Sequence, residues 1–351
     1  MACAGLAGWP WPPRDPVCCA LLAAAGLLLG LYWLLSRRPR GLPPGPRPWP
    51  LVGNFGFWQG RGGSRPLSPH LLLTGLAKVY GSVFSLFVGS RPMIVLSDFE
   101  AVREALVSQA EVFSDRPSVP IVAMLTKKKG EPTLPDPGVV FAPYGPVWRQ
   151  QRKFSHSTLR HFGLGKHSLE PKIIEELKYV KEEMLRYGKD PFNPFPIISN
   201  SVSNVICSMA FGRRFEYEDI EFKTMLSLMS RALEISVNSH VLLVNICPWL
   251  YYLPFGPFRE LRQIEFDVTA FLKKIIAQHR DTLHRENPRD FIDMYLLQVE
   301  EERKSNSESS FNEDYLFFII GDLFIAGTDT TTNTLLWCLL YMSLYPEVQG
   351  K

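Results

Sequence analysis

The residues best placed to do chemistry lie in FIAGTDTTTNTLL, residues 324–336, where the carboxylate of Asp329 is followed directly by the hydroxyl of Thr330. An acid beside a hydroxyl in an apolar setting can pass a proton to or from a bound reactant. The small residues Ala326 and Gly327 just before them leave room for a small ligand. A second constellation is WRQQR, in which Trp148 and Arg152 are four apart and so share one face of a helix. An arginine there offers a fixed fork of donors that matches a carboxylate. Taken alone, the pair reads more simply as a tryptophan packed under an exposed arginine. No metal is implied: His156, His161 and His167 are spaced by five and six and do not align on a helix face. A lone carboxylate without histidine at helical spacing is likewise a poor ligand set.

These residues need elements to hold them. The acid and threonines fall within a long apolar run that Asn312 can cap, with Glu313 and Asp314 in its first turn, and that continues to about Leu344 before Pro346. At 1.5 Å per residue such a helix is roughly 50 Å long, enough to cross a domain through its core. The poor helix formers from Gly327 to Asn333 cost roughly 3–5 kcal/mol of helix propensity relative to alanine. Three readings of that cost stand open. The threonines back-bond and the glycine permits close packing with no further role; or the turn loosens into a ligand groove served by Asp329 and Thr330; or the site binds metal.

Upstream, the sequence predicts a hairpin in SVFSLFVGSRPMIVLSD around Gly89–Pro92 and a helix from Asp98 to Pro117. Residues 118–146, rich in proline and glycine, read as a long loop, and long loops in compact domains are often functional. From Trp148 onward most of the chain shows apolar residues at spacings of three and four, broken by proline-rich turns. The fold class expected is mainly α with a small β element.

With 351 residues, 46% hydrophobic, and a formal charge of +3, the chain can bury a large core, and neither disorder nor nucleic-acid binding is suggested. Its six cysteines show no CxxC spacing and form no disulfide framework. Residues 1–15 read as a tail. PVCCALLAAAGLLLGLYWLLS, residues 16–36, carries no charge and is about the length that spans a bilayer. It ends at Tyr32 and Trp33 followed by Arg37, Arg38 and Arg40, which marks an uncleaved anchor with the remainder of the chain in the cytosol. Residues 37–60 read as a basic, proline-rich linker and residues 61–351 as the domain proper.

AGTDTT closely resembles the oxygen-activating motif of the central helix of cytochrome P-450 haem-thiolate monooxygenases. PPGP, FSDRP, GVVFAPYGPVWRQQRKFS and YPEVQ follow in the order expected of the microsomal class. The likeness runs through essentially the whole chain and is nearest to family 2, subfamily U, a long-chain fatty-acid hydroxylase. It implies the cytochrome P-450 fold, a haem b cofactor, dioxygen, and electrons from NADPH through NADPH-cytochrome reductase. It further implies a lipophilic substrate and attachment to the endoplasmic reticulum membrane. By resemblance Trp148 and Arg152, and with them Arg116, hold a haem propionate, while Ala326 and Gly327 face the distal side of the haem. Asp329 relays protons and Thr330 steers their delivery. Ile121, Val122, Phe141 and Phe324 contact substrate. Arg149 and Lys153, read from the residues alone, share a face that either meets an acidic reductase surface or is simply solvated.

The sequence departs from that family in two places. The F-x-x-G-x-x-x-C-x-G loop carrying the thiolate ligand is not present, the E-x-x-R pair that follows YPEVQ in the family is not found there, and neither Cys207 nor Cys338 has that glycine frame. The expectation is a C-terminally truncated chain with no axial cysteine, giving no thiolate-type absorbance with carbon monoxide. The alternative function is therefore a non-catalytic, membrane-anchored fragment. EPTLPDP, residues 131–137, reads as an insertion in the loop before WRQQR.

Overall fold

A computed structural model describes residues 16–35, 39–49, 52–54, 68–117, 138–236, 244, 248–254, 256–305 and 309–350. The tail, Arg37 and Arg38, Ile121 and Val122, and the insertion at 131–137 lie outside these. The chain forms two compact units, Met1–Ser114 and Asp115–Lys351.

In the first unit, α1 (Pro16–Leu35) is a 20-residue helix without charge in its end turns. Among the described residues no helix is long and apolar enough to cross a membrane; in α1 the side chains at 16–18, 22, 33 and 35 are not described. The proline-rich segment is not a free spacer along its length. Ser85 donates its backbone N–H to the Pro44 carbonyl at 2.8 Å and its hydroxyl to the Pro43 carbonyl at 2.8 Å. Proline has no N–H of its own but keeps its acceptor, which explains this one-sided pairing. Helix α2 (Pro69–Tyr80) precedes the expected hairpin, β1 (Val83–Val88) against β2 (Arg91–Leu96), antiparallel from Val83↔Leu96 to Val88↔Arg91. The turn is tighter than the sequence suggests, since Pro92 lies inside β2. Phe84, Leu86 and Phe87 of β1 are buried, whereas β2 is largely open.

The helix expected from Asp98 starts as predicted, with the Asp98 carboxylate accepting the Ala101 N–H at 2.7 Å. It does not run straight. Helix α3 (Phe99–Arg103) widens into a π-turn at Glu104–Ser108, where Gln109 N–H reaches Glu104 O, before α4 (Ala110–Phe113).

The described α-helices of the second unit are α5 (Pro146–His161), α6 (Glu170–Leu185), α7 (Phe195–Ala210), α8 (Ile220–Ser236), α9 (Gly256–Asp281), α10 (Phe291–Lys304), α11 (Glu313–Leu344) and α12 (Pro346–Gln349). Helix α11 is the 32-residue helix anticipated from the sequence, and Asn312 caps it by accepting Tyr315 N–H at 2.9 Å. Leu316, Ile320, Phe324, Thr328 and Thr332 recur every fourth residue as its buried stripe. Burial does not continue to its end, because Trp337, Leu340, Tyr341 and Leu344 are exposed.

Helix α5 is fixed from its inner face. Phe154 meets the rings of Tyr295 and Phe311 edge-on at 5.4 and 5.2 Å. The fully buried Gln151 amide accepts the Tyr295 hydroxyl at 2.8 Å and donates to the Ser310 carbonyl at 3.1 Å. A buried amide with both ends satisfied allows one orientation of its helix. That orientation sends the neighbouring Arg152 outward.

Candidate functional site

The threonine-rich segment of α11 divides by face. On the hidden face, Ser203 of α7 donates to the Ser199 carbonyl at 2.7 Å, and its oxygen lies 3.1 Å from Thr328 Oγ1. A hydroxyl carries one hydrogen, so Thr328 must be the donor to Ser203. On the open face, Thr330 donates to the Ala326 carbonyl at 2.6 Å and Thr334 to the Thr330 carbonyl at 2.8 Å. These back-bonds leave the helix unbroken through Gly327, so the loosened turn considered from the sequence is absent. Ala326 and Thr330 are both exposed here, one turn apart. Because the Thr330 hydroxyl hydrogen is committed to Ala326, its lone pairs are what it offers outward. Asp329 is pinned by Asn333, whose Nδ2 donates to the Asp329 carbonyl at 3.0 Å and to its carboxylate at 3.2 Å.

Gly327 points elsewhere. A Cβ built on it would lie 2.7 Å from Ile206 Cδ1 and 3.0 Å from Cγ1, so the missing side chain lets α7 approach α11 closely. Alanine can be absorbed by rotation of the Ile206 terminus and regains about 1 kcal/mol of helix propensity. Valine cannot. Gly327→Ala should therefore leave the urea midpoint nearly unchanged while Gly327→Val loses about 1–3 kcal/mol by overpacking. Equal midpoints for the two variants would remove the close-approach role.

The second constellation assembles around the loop 138–144. The Val139 carbonyl accepts the Trp148 indole N–H at 2.9 Å, and the Val140 carbonyl accepts Arg116 Nε at 3.0 Å. Asp115 accepts Tyr144 N–H at 2.9 Å and Arg116 N–H at 2.8 Å, and these two bonds hold its carboxyl below the ordinary range. The Arg152 guanidinium stacks 4.9 Å from the Trp148 ring, as the i, i+4 spacing requires. Arg116, Trp148 and Arg152 thus come to one place from residues far apart in sequence. Arg149, on the same helix, stacks on Tyr144 and donates to its hydroxyl at 2.6 Å.

The sequence reading missed Asp322. This acid sits on α11, one turn before Ala326, and one oxygen, Oδ2, accepts the N–H of Val139 at 2.8 Å and of Val140 at 3.0 Å. Burial raises its pKa, and the two backbone bonds oppose the rise. Gly138 makes the approach possible: its φ is +94° and a Cβ would fall 2.7 Å from that oxygen. An aspartate inside an otherwise apolar helical stretch, GDLFIAG, was the available signal.

Of the expected substrate contacts, Phe141 is exposed, whereas Phe324 is 1% exposed among the rings of Phe211 and Phe222. Cys207 is fully buried, and that burial pushes its thiol well up; Cys338 lies on the exposed end of α11. A tight cluster of His279, Asp290 and Asp293 has the composition of a metal site. Its ligand atoms are already used: His279 Nδ1 faces the Ile275 carbonyl at 2.8 Å, Nε2 faces Asp290 at 2.9 Å, and Arg289 grips Asp293 at 2.7 Å.

Comparison with known proteins adds to this geometry. The sequence profile of the family described as Cytochrome P450 matches residues 43–351. The chain is 64% identical to "Cytochrome P450 2U1" of Homo sapiens over 97% of its own length and 67% of that protein. It is 60% identical to the Mus musculus protein of the same name over 94% of its length and 63% of that protein. "Cytochrome P450 2J2" of Homo sapiens is 37% identical over 94% of the chain and 63% of that protein. The chain thus spans about two thirds of the length of the curated relatives it matches.

Proposed function

We propose a function on the premise that this chain belongs to the cytochrome P450 family and, within it, to family 2, subfamily U. The family is one of haem b enzymes. The proposed activity is that of a haem-thiolate monooxygenase inserting one oxygen atom into a lipophilic substrate, a long-chain fatty acid by resemblance. NADPH-cytochrome reductase would supply the electrons.

The observation that carries this reading is the convergence of Arg116, Trp148 and Arg152 on the loop 138–140, which is tied to α11 one turn before Ala326 and two before Thr330. The donor set fits a dicarboxylate cofactor. Arg152 is exposed and pairs with no carboxylate among the described residues, so its fork of donors is available to a propionate. Trp148 supplies the flat surface that keeps that guanidinium in place, and Arg116 adds a second cation beside it. When bound, the haem supplies the reductive activation of dioxygen. On the chain's side, Ala326 keeps the open face of α11 low. Thr330 Oγ1 accepts a hydrogen bond with the lone pairs it presents and so positions a proton on its way to the reactant, and the side chain of Asp329, held by Asn333, takes protons up from solvent and passes them on. Neither Cys207 nor Cys338 serves as axial ligand; that ligand belongs to the third of the family's length that this chain does not match.

Membrane attachment rests on the sequence: residues 16–36 carry no charge, and about 20 residues of helix at 1.5 Å span about 30 Å, the thickness of a bilayer's hydrocarbon core. The proposed location is the endoplasmic reticulum membrane with the α5–α12 unit in the cytosol.

The test uses the protein at the full length of its relatives, with reductase, NADPH and a long-chain fatty acid. Hydroxylated product and a thiolate-type Soret band with carbon monoxide are expected. Thr330→Ala should raise hydrogen peroxide released per product about ten-fold or more, since a positioned group in proton transfer contributes roughly 10²–10⁴ in rate. Unchanged coupling in that variant removes Thr330 from proton delivery. Absence of the Soret band in that protein removes the haem-thiolate reading.

A further inference from the structure

The haem-propionate reading of Arg116, Trp148 and Arg152 leaves open what sets their spacing. Trp148 and Arg152 lie on α5, while Arg116 lies on a different segment. They meet through two consecutive peptides: the carbonyl of Val139 receives Trp148 and that of Val140 receives Arg116. The N–H groups of the same two residues both turn the other way, onto Asp322 Oδ2.

We propose that Asp322 is a positioning residue for carboxylate recognition: by holding the Val139 and Val140 amides, it aims the Val139 carbonyl, which shares a peptide with the Val140 N–H, and sets the start of the next peptide, whose carbonyl receives Arg116, and so fixes the separation of the Trp148–Arg152 stack from Arg116. The inference rests on the cofactor reading above but assigns a residue that neither the motif nor the spacing picked out.

Four features support it physically. A single oxygen accepting two consecutive amides fixes the orientation of both peptides, as an anion-binding nest does with its ligand. Charge-assisted bonds to a carboxylate are about twice as strong as neutral ones, so this anchor outlasts ordinary loop contacts. The anchor point is also rigid, because Asp322 stands on a helix whose flanking Ile320 and Phe324 are buried in the main core. The φ of +94° and the close approach at Gly138 show the loop shaped around that oxygen.

The test compares wild type with Asp322→Ala, Asp322→Asn, Gly138→Ala and Arg152→Gln. It has two readouts: hydrogen–deuterium exchange at the Val139 and Val140 amides, and titration with protoporphyrin IX against its dimethyl ester, in which both carboxylates are blocked. Wild type should prefer the free acid by about ten-fold or more, the worth of one or two charge-assisted hydrogen bonds. Asp322→Ala should lose amide protection by a similar factor and lose most of the preference, while binding the ester as wild type does. Gly138→Ala should do the same by a different route. Asp322→Asn, which can turn its carbonyl oxygen onto both amides, should retain most of each. Arg152→Gln should lose the preference with the amides still protected.

Loss of protection with the acid-over-ester preference intact overturns the proposal, as does intact protection in Asp322→Ala. If wild type itself shows no preference for the free acid, the cofactor reading falls and the role of Asp322 falls with it. The asparagine and glycine variants keep the proposal open to refutation should Asp322→Ala fail to fold.

Discussion

Asp290→Ala is expected to lose about 3–5 kcal/mol of stability, the usual cost of removing one partner of a buried ion pair. The reason is on both sides of the carboxylate. Its Oδ1 caps α10 by accepting Asp293 N–H at 3.0 Å, and its Oδ2 lies 2.9 Å from His279 Nε2. His279 Nδ1 faces the Ile275 carbonyl, which can only accept, so Nδ1 carries hydrogen. Nε2 facing a carboxylate carries one too, and the ring is an imidazolium. Burial alone would lower its pKa, but the hydrogen bond and charge of Asp290, helped by Ile275 and Asp293, raise it overall.

The sign of the pH effect follows. A group whose folded pKa is raised contributes fully below its unfolded value, about 6.5, and that contribution is lost as pH rises through the folded value. Wild-type stability should therefore fall with pH above about 6.5. Asp290→Ala should be the less stable protein and also flatter across that window, because its His279 sheds the proton. Asp290→Asn keeps the cap and should lie between. Urea midpoints taken from pH 6 to 9 check this, and a wild-type profile without slope there would rule out the imidazolium.

The second large effect concerns Phe324. Its ring stacks on Phe211 at a centroid distance of 6.2 Å and meets Phe222 edge-on at 6.5 Å, with 1% of its surface exposed. Phe324→Ala should cost about 3–5 kcal/mol, combining lost transfer free energy with the cavity left behind. Phe324→Leu fills part of that space and should cost markedly less. Were the ring chiefly a substrate contact, truncation would shift ligand binding and leave stability within about 1 kcal/mol of wild type. Denaturant unfolding of both variants decides between the two roles.

Much of the architecture was legible because it is written locally. The Asn312 cap, the Asp98 cap, the β1–β2 hairpin and the length of α11 each follow from a turn chemistry or a period contained within a few residues. The stacking of Arg152 on Trp148 was equally readable, since four residues of helix separate them. The π-turn at Glu104–Ser108 was not, because a one-residue widening leaves the apolar pattern nearly unchanged.

By itself the sequence determined that the chain is mainly helical, that its acid and threonines lie at the centre of one long helix, and that Trp148 and Arg152 share a face. Only the tertiary structure decided what those residues touch. Gly327 serves an approach to Ile206 across helices α7 and α11, and Thr328 is turned inward to Ser203 while Thr330 is turned out. Asp322 reaches across 183 residues of chain to the Val139 amide. Periodicity fixes which side chains share a face, but which face is covered depends on the neighbouring helix. The satisfaction of a buried carboxylate depends on a loop that no local rule connects to it.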